Sequence, residues 1–222
     1  MSISHNIQFF KANLPEQVQL VCVSKFHPIS ALQEAYDVGQ RIFGESKVQE
    51  LTEKQELLPN DIEWHFIGHL QTNKIKYLVP FVHMIHGVDS GKLLFEINKE
   101  AKKAGRIVNC LLQVHIAQEE TKFGFSKEEL LEFISSDELQ NLENVTICGL
   151  MGMASNTDDL AKVRNEFHGL KVLFDKLKST VFSAQNSFKE LSIGMSGDYE
   201  TAIEEGSTLV RIGSAIFGPR LY

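Results

Sequence analysis

The chain alternates short apolar runs with longer segments that are apolar on one side only. Eight runs read as strands: residues 18–25, 41–45, 63–68, 84–89, 108–116, 145–153, 190–195 and 208–217. They are short and rich in β-branched residues, as strands buried on both faces are. The segments between them follow the helical period. Ser30-Ala31-Leu32-Gln33 has the spacing of a capping box, with Leu32, Ala35 and Gly39 on one face. Ser126 and Glu129 repeat that spacing ahead of Leu130, Phe133 and Ile134. The longest helical pattern starts near Thr157. Asp158 and Asp159 suit its positive end, and Leu160, Val163, Phe167, Leu170, Phe174 and Leu177 form its apolar stripe. Another helix precedes the first strand, near residues 4–12.

Strands alternating with helices predict a parallel sheet covered by helices. Eight such units in 222 residues predict an α/β fold, a single (β/α)8 TIM barrel over residues 1–222. An open doubly wound sheet is the runner-up, but it does not normally use eight strands in so short a chain. No Pro/Gly/Ser-rich linker or low-complexity tract divides the sequence, so a second domain is not expected.

Composition narrows the function classes. The net charge is −7, the pI is about 5.6 and the basic residues are scattered, so neither nucleic acid nor an anionic membrane surface is an expected partner. The first residues do not form a signal peptide, and no apolar stretch is long enough to span a bilayer. Cys22, Cys110 and Cys148 are odd in number and each lies inside an apolar run. They read as reduced core thiols of a cytoplasmic protein.

In a barrel, function is built where the carboxyl ends of the strands meet. Lys25 ends the first predicted strand, before Phe26-His27-Pro28. An ammonium there would sit over an apolar interior, where desolvation disfavours the charge. It either pairs with an anion or is neutral and reactive, and a neutral amine condenses with aldehydes. A lysine reaching out to water is the plain alternative. At the other end of the chain, Met195-Ser196-Gly197 precedes a predicted helix at 198–205, and Gly213-Ser214 lies in the eighth strand. Backbone amides and a hydroxyl at such junctions bind phosphate, and loops seven and eight are the usual phosphate cup of this fold. Simple turns would use the same residue types. Arg211 would point into the same cavity, or would pair with a carboxylate such as Glu45 or Asp198. His65 and His69 do not converge on a strand and loop, and no third ligand is evident, so no metal site is expected.

Several stretches resemble one family closely. Val23-Ser24-Lys25, Phe43-Gly44-Glu45, Trp64 through Lys74, Gly149-Leu150-Met151, Ser192 through Ser196 and Val210 through Gly218 are similar to the pyridoxal phosphate homeostasis protein family, in order and over nearly the whole chain. The resemblance implies the barrel of the alanine racemase amino-terminal domain, with pyridoxal 5′-phosphate as cofactor. It implies that Lys25 carries the cofactor as a Schiff base, that Ser196, Gly213 and Ser214 hold the phosphate, and that Arg211 meets the pyridine nitrogen. It also implies a carrier of the cofactor that takes part in its homeostasis and is not an established enzyme. Apo pyridoxal-dependent enzymes are the expected recipients. A slow amino-acid racemase or lyase, with Tyr199 or His69 as second base, is the alternative. Lacking the racemase's second domain, the protein is expected to be a monomer. Ser46 and His115 stand where the family usually has asparagine, and both are expected to face the cofactor.

Overall fold

The computed structural model describes residues 2–117, 123–136, 139 and 141–219. Eight parallel strands form a closed barrel in chain order: β1 (Gln19–Val23), β2 (Ile42–Glu45), β3 (Glu63–Phe66), β4 (Met84–Val88), β5 (Val108–Gln113), β6 (Val145–Met151), β7 (Glu190–Ser192) and β8 (Leu209–Ile212). β1 pairs with β8 from Gln19↔Leu209 to Cys22↔Ile212, which closes the ring. Around it lie α1 (Ile3–Asn13), α2 (Ile29–Asp37), α3 (Val48–Leu57), α4 (Ile75–Leu78, entered through a 3₁₀ turn at Thr72–Lys74), α5 (Gly91–Lys103), α6 (Lys127–Ile134), α7 (Leu160–Ser179), α8 (Tyr199–Glu204) and α9 (Ser214–Phe217).

All eight expected strands are present, but every one except β2 ends sooner at its carboxyl end than the apolar pattern suggests. β1 stops at Val23, so Lys25 stands in the turn beyond it. β8 stops at Ile212, and the apolar residues that follow form α9. The apolar run continues through both elements, since β8 is buried and α9 buries Ile216, and so short a run does not by its periodicity separate a strand from a helix. The capping box at Ser126 forms with both of its hydrogen bonds. The one at Ser30 does not, because α2 already starts at Ile29 behind Pro28. Gly39 lies beyond α2 with φ +85°. Asp159 caps α7 by accepting from the Ala161 and Lys162 amides, and Leu160 is exposed in its first turn.

Two apolar regions follow from the alternation of side chains along each strand. The larger lies between barrel and helices and includes Phe43, Phe66, Leu94, Ile97, Phe167 and Phe188. The smaller fills the barrel with Val21, Met84, Leu111, Cys148, Met151 and Leu209. Polar side chains cross this interior in one connected series. His65 Nδ1 and His86 Nε2 are 2.9 Å apart, and His86 Nδ1 lies 3.0 Å from Ser192 Oγ, which accepts from Arg211 at 2.7 Å. Burial keeps both imidazoles neutral, pushing His65 down to about 3 and His86 well below its usual value.

The ring is uneven. Between β5 and β6 the register shifts past Cys148, and Gly149 adopts φ +152° against β7. Between β7 and β8 only Ser192↔Leu209 is in register. Side chains carry much of that joint: Thr208 Oγ1 accepts from the Leu191 amide, Ser207 Oγ donates to Ile193 O, and Arg211 donates to Ser192 O.

A Cβ at position 149 would lie 1.8 Å from Glu190 O. Gly149→Ala is therefore expected to cost about 2–4 kcal/mol, from strain and displacement of β7. Urea denaturation followed by circular dichroism measures it, and an unchanged midpoint would mean that the β6–β7 contact yields easily.

Candidate functional site

A cavity of about 310 Å³ opens at the carboxyl ends of the strands, within the size range of small-ligand sites. Lys25 and His27 line it from the turn after β1, Met195, Ser196 and Gly197 from the loop after β7, and Arg211, Gly213 and Ser214 from β8 and the start of α9. Ile67, Met153 and Met195 supply apolar wall. The seven residues singled out as cofactor ligands in the sequence therefore share one site.

The Lys25 turn is held from outside the barrel. The His27 amide donates to Ser24 O at 3.1 Å, and Phe26 takes φ +68°, a left-handed conformation that bulky residues avoid. The Phe26 amide donates to Glu50 Oε1 at 2.6 Å. Lys54 Nζ donates to Ser24 O at 2.8 Å and to Glu45 Oε1 and Glu50 Oε1, each at 2.7 Å. Ser24 Oγ donates to Glu45 Oε1 at 2.7 Å. Glu45 and Lys54 are buried, and burial pushes the Glu45 carboxyl up while Lys54 pulls it back. The left-handed residue costs about 1–3 kcal/mol and persists because these bonds over-determine it. In the sequence Glu45 stands at a strand end and as a possible partner of Arg211, not as a partner of Lys54. The available signal for the rest was Glu50 and Lys54 at i,i+4 on a helix.

Arg211 is buried and forms no ion pair with a carboxylate among the described residues. It donates to Ser192 O and Oγ, each at 2.7 Å, and to Gly152 O at 3.0 Å. Burial pulls its guanidinium down to about 10 and Asp198 opposes the shift, so it stays charged at neutral pH. Three of its five N–H groups are used by these bonds, which leaves Nε and one Nη2 hydrogen without such a partner among the described residues. Glu45, weighed as a partner, belongs instead to the Lys54 cluster.

At the far side, Ser196 Oγ accepts from the Gly213 and Ala215 amides at 3.3 and 3.4 Å. Two backbone donors thus already converge on an oxygen, as they would on an oxygen of an anion. A Cβ on Gly197 would meet nothing within 4 Å, whereas one on Gly213 would lie 3.2 Å from Val23 O. Gly213 is glycine because β1 is close. The Met195 amide is taken by Asp198 Oδ1, so Met195 offers the site its side chain and not its N–H. An amine, a charged donor fork and an amide–hydroxyl cradle around one cavity fit the aldehyde, ring nitrogen and phosphate of pyridoxal 5′-phosphate.

Other strand-end residues go elsewhere. His69, Gln71, Asn73, Asp89 and Ser90 line a separate depression, where His69 Nδ1 lies 3.0 Å from Asp89. His115 lies beyond the end of β5 and faces a groove against α7 with Lys162 and Glu166. The expectation that it faces the cofactor is not met by the cavity lining, which includes Lys25 but not His115. The backbone of Ser46 packs against Gly68, where a Cβ would lie 2.3 Å from Ser46 O. Tyr199 packs edge-on against Phe10 at 5.4 Å, in the helix layer.

This architecture is that of the alanine racemase amino-terminal domain, the family that matches residues 1–220. An alanine racemase from Bartonella henselae shares the fold at a TM-score of 0.73 and 15% identity, over 98% of this chain and 58% of that one. Within that class, the chain belongs to the pyridoxal phosphate homeostasis protein family. It is 42% identical to the pyridoxal phosphate homeostasis protein of Aquifex aeolicus, over 92% of this chain and 88% of the relative. PipY of Synechococcus elongatus, solved without and with pyridoxal phosphate, superposes at TM-scores of 0.92 and 0.88. Its identities are 36% and 35%, over 98% of this chain and 100% of PipY in both structures.

Removing one partner of a buried ion pair strands the other charge. Lys54→Met is expected to cost about 3–5 kcal/mol, by analogy with other broken buried pairs. Adding Glu45→Gln to it should restore part of that loss. Denaturation of both variants checks this, and equal losses in single and double variants would show that the two charges are not coupled.

Proposed function

We propose that this protein holds pyridoxal 5′-phosphate at Lys25 and serves the intracellular balance of that cofactor as a store and donor. The observation that carries the reading is the convergence of Lys25, Arg211 and the Ser196–Gly213 cradle on one cavity. Membership of the family supports it, as does PipY, described with pyridoxal phosphate bound at 35% identity.

When bound, the cofactor supplies an aldehyde carbon that an amine can hold reversibly as a Schiff base. Lys25 Nζ is the amine this chain offers, presented by a turn that Glu50 and Lys54 fix from behind. Arg211 supplies donors that do not surrender their protons, so a ring nitrogen facing it stays unprotonated. That favours holding the cofactor over using it as an electron sink. Ser196 and the amides that converge on it receive the phosphate, with Gly197 and Ser214 at the open side. Met195 is an apolar wall.

The carrier reading also rests on what lies outside the cavity. A racemase needs an acid or base on each face of the substrate. Tyr199 and His69, the two candidates for a second base, lie in the helix layer and in the separate depression. Lacking such a group commonly costs about 100-fold or more in rate. The protein is taken as a cytoplasmic monomer, one barrel domain over residues 1–222, delivering to apo pyridoxal-dependent enzymes. In support, the three cysteines are unpaired, and among the described residues no helix is long and apolar enough to cross a membrane.

Incubation with pyridoxal phosphate should give an absorption band in the imine region that borohydride removes. Peptide mapping should then place the pyridoxyl group on Lys25, and a label on Lys54 or Lys74 instead would refute the assignment. The loaded protein, offered amino acids in deuterium oxide, should exchange their Cα hydrogen far more slowly than about 1 s⁻¹, the low end for ordinary enzymes. It should at the same time activate an apo pyridoxal enzyme. Rapid exchange without activation would establish the racemase alternative.

A further inference from the structure

The other end of the barrel carries a second constellation. Glu63 opens β3, His65 follows two residues later on the same face, and His83 directly precedes β4. Parallel pairing of His65 with Met84 brings His83 beside the pair. One donor atom of each residue lies within 4.8 Å of the others. Glu63 Oε2 and His83 Nε2 are 3.5 Å apart, and the His65 and His83 rings stack nearly parallel at 5.4 Å.

We propose that Glu63, His65 and His83 bind a divalent transition-metal ion at the amino-terminal end of the barrel, remote from Lys25. The decisive observation is His65. It is 2% exposed, its Nδ1 is engaged by His86, and its Nε2 has no hydrogen-bond partner among the described residues. A buried polar nitrogen left without a partner is destabilising, and a metal ion satisfies it. The bond from Nδ1 to a further group is the outer-shell contact that ligating histidines make, and it fixes the ring. Here that group, His86, is itself held by Ser192.

The donor set selects the ion. Two imidazoles and one carboxylate suit zinc and its neighbours cobalt and nickel better than magnesium or calcium. The side chains of Glu63 and His83 are 46% and 42% exposed, so the ion reaches the site from solvent and water completes its coordination. Metal–ligand distances of about 2.0–2.2 Å put tetrahedral donors about 3.4 Å apart, so the widest separation must close by up to about 1.4 Å, which two half-exposed side chains can supply. In the sequence His69 is the near neighbour of His65, the two do not converge, and no metal site is expected from them. Strand pairing gives His65 the neighbour His83 instead, and His69 sits at the opposite end with Asp89.

The test is calorimetric titration of the chelator-treated protein with Zn²⁺, with Co²⁺ as a spectroscopic probe. One Zn²⁺ should bind per chain, and Co²⁺ should give visible bands of a low-coordinate nitrogen–oxygen site. His83→Ala and Glu63→Gln, both at accessible positions, should each weaken binding at least about tenfold, the lower bound seen even for outer-shell losses. Zn²⁺ should raise the melting temperature of the parent protein and not that of His83→Ala. The proposal fails if no stoichiometric binding occurs, if both variants bind as the parent does, or if His69→Ala and not His83→Ala abolishes it.

Discussion

The pairing of β1 with β8 is the constraint on which the site depends. It joins residues 19–22 to residues 209–212, nearly the full length of the chain apart. Joining them brings the Lys25 turn beside Gly213 and Ser214, with Val23 so close that position 213 has little room for a side chain. The small residue that a ligand would favour at this position is thus also favoured by barrel closure. Function here uses a junction that the fold must make tight for its own reasons.

Two buried cations frame that junction and are stabilised differently. Lys54 is neutralised by carboxylates and works behind the site, fixing the turn that presents Lys25. Arg211 is solvated by carbonyl and hydroxyl oxygens and points donors into the site. Buried charges are tolerated only with such partners. The difference in partners separates a cation that supports backbone from one that remains available to a ligand.

The strand–helix alternation was legible because buried parallel strands are apolar throughout, and the barrel followed from their number. Strand ends were not legible: Thr208 through Phe217 is one apolar run, yet it holds a strand, a turn and a helix. That Lys25, Ser196, Arg211 and Ser214 line one cavity was legible because strand ends converge in this fold. Glu50 and Lys54 were missed because their importance comes from the left-handed Phe26, and no local pattern announces a left-handed phenylalanine. His115 was expected at the cofactor and does not line the cavity, and His83 was overlooked because its partners come from the neighbouring strand.

The joint between β7 and β8 has a mechanical consequence. In this ring the β7–β8 seam has a short ladder, with backbone bonds from Thr208 to Leu191 O and from Arg211 to Gly194 O, and is supplemented by hydroxyl and guanidinium contacts. Ser196 and Gly213 hang on opposite lips of that seam. Local opening follows the weakest hydrogen-bonded unit and not the average of the structure. A molecule gripped across the two lips is a clasp: while present it ties the seam shut, and any breathing of the seam slackens the grip. Retention of a ligand and rigidity of the barrel are then the same quantity, read from two sides.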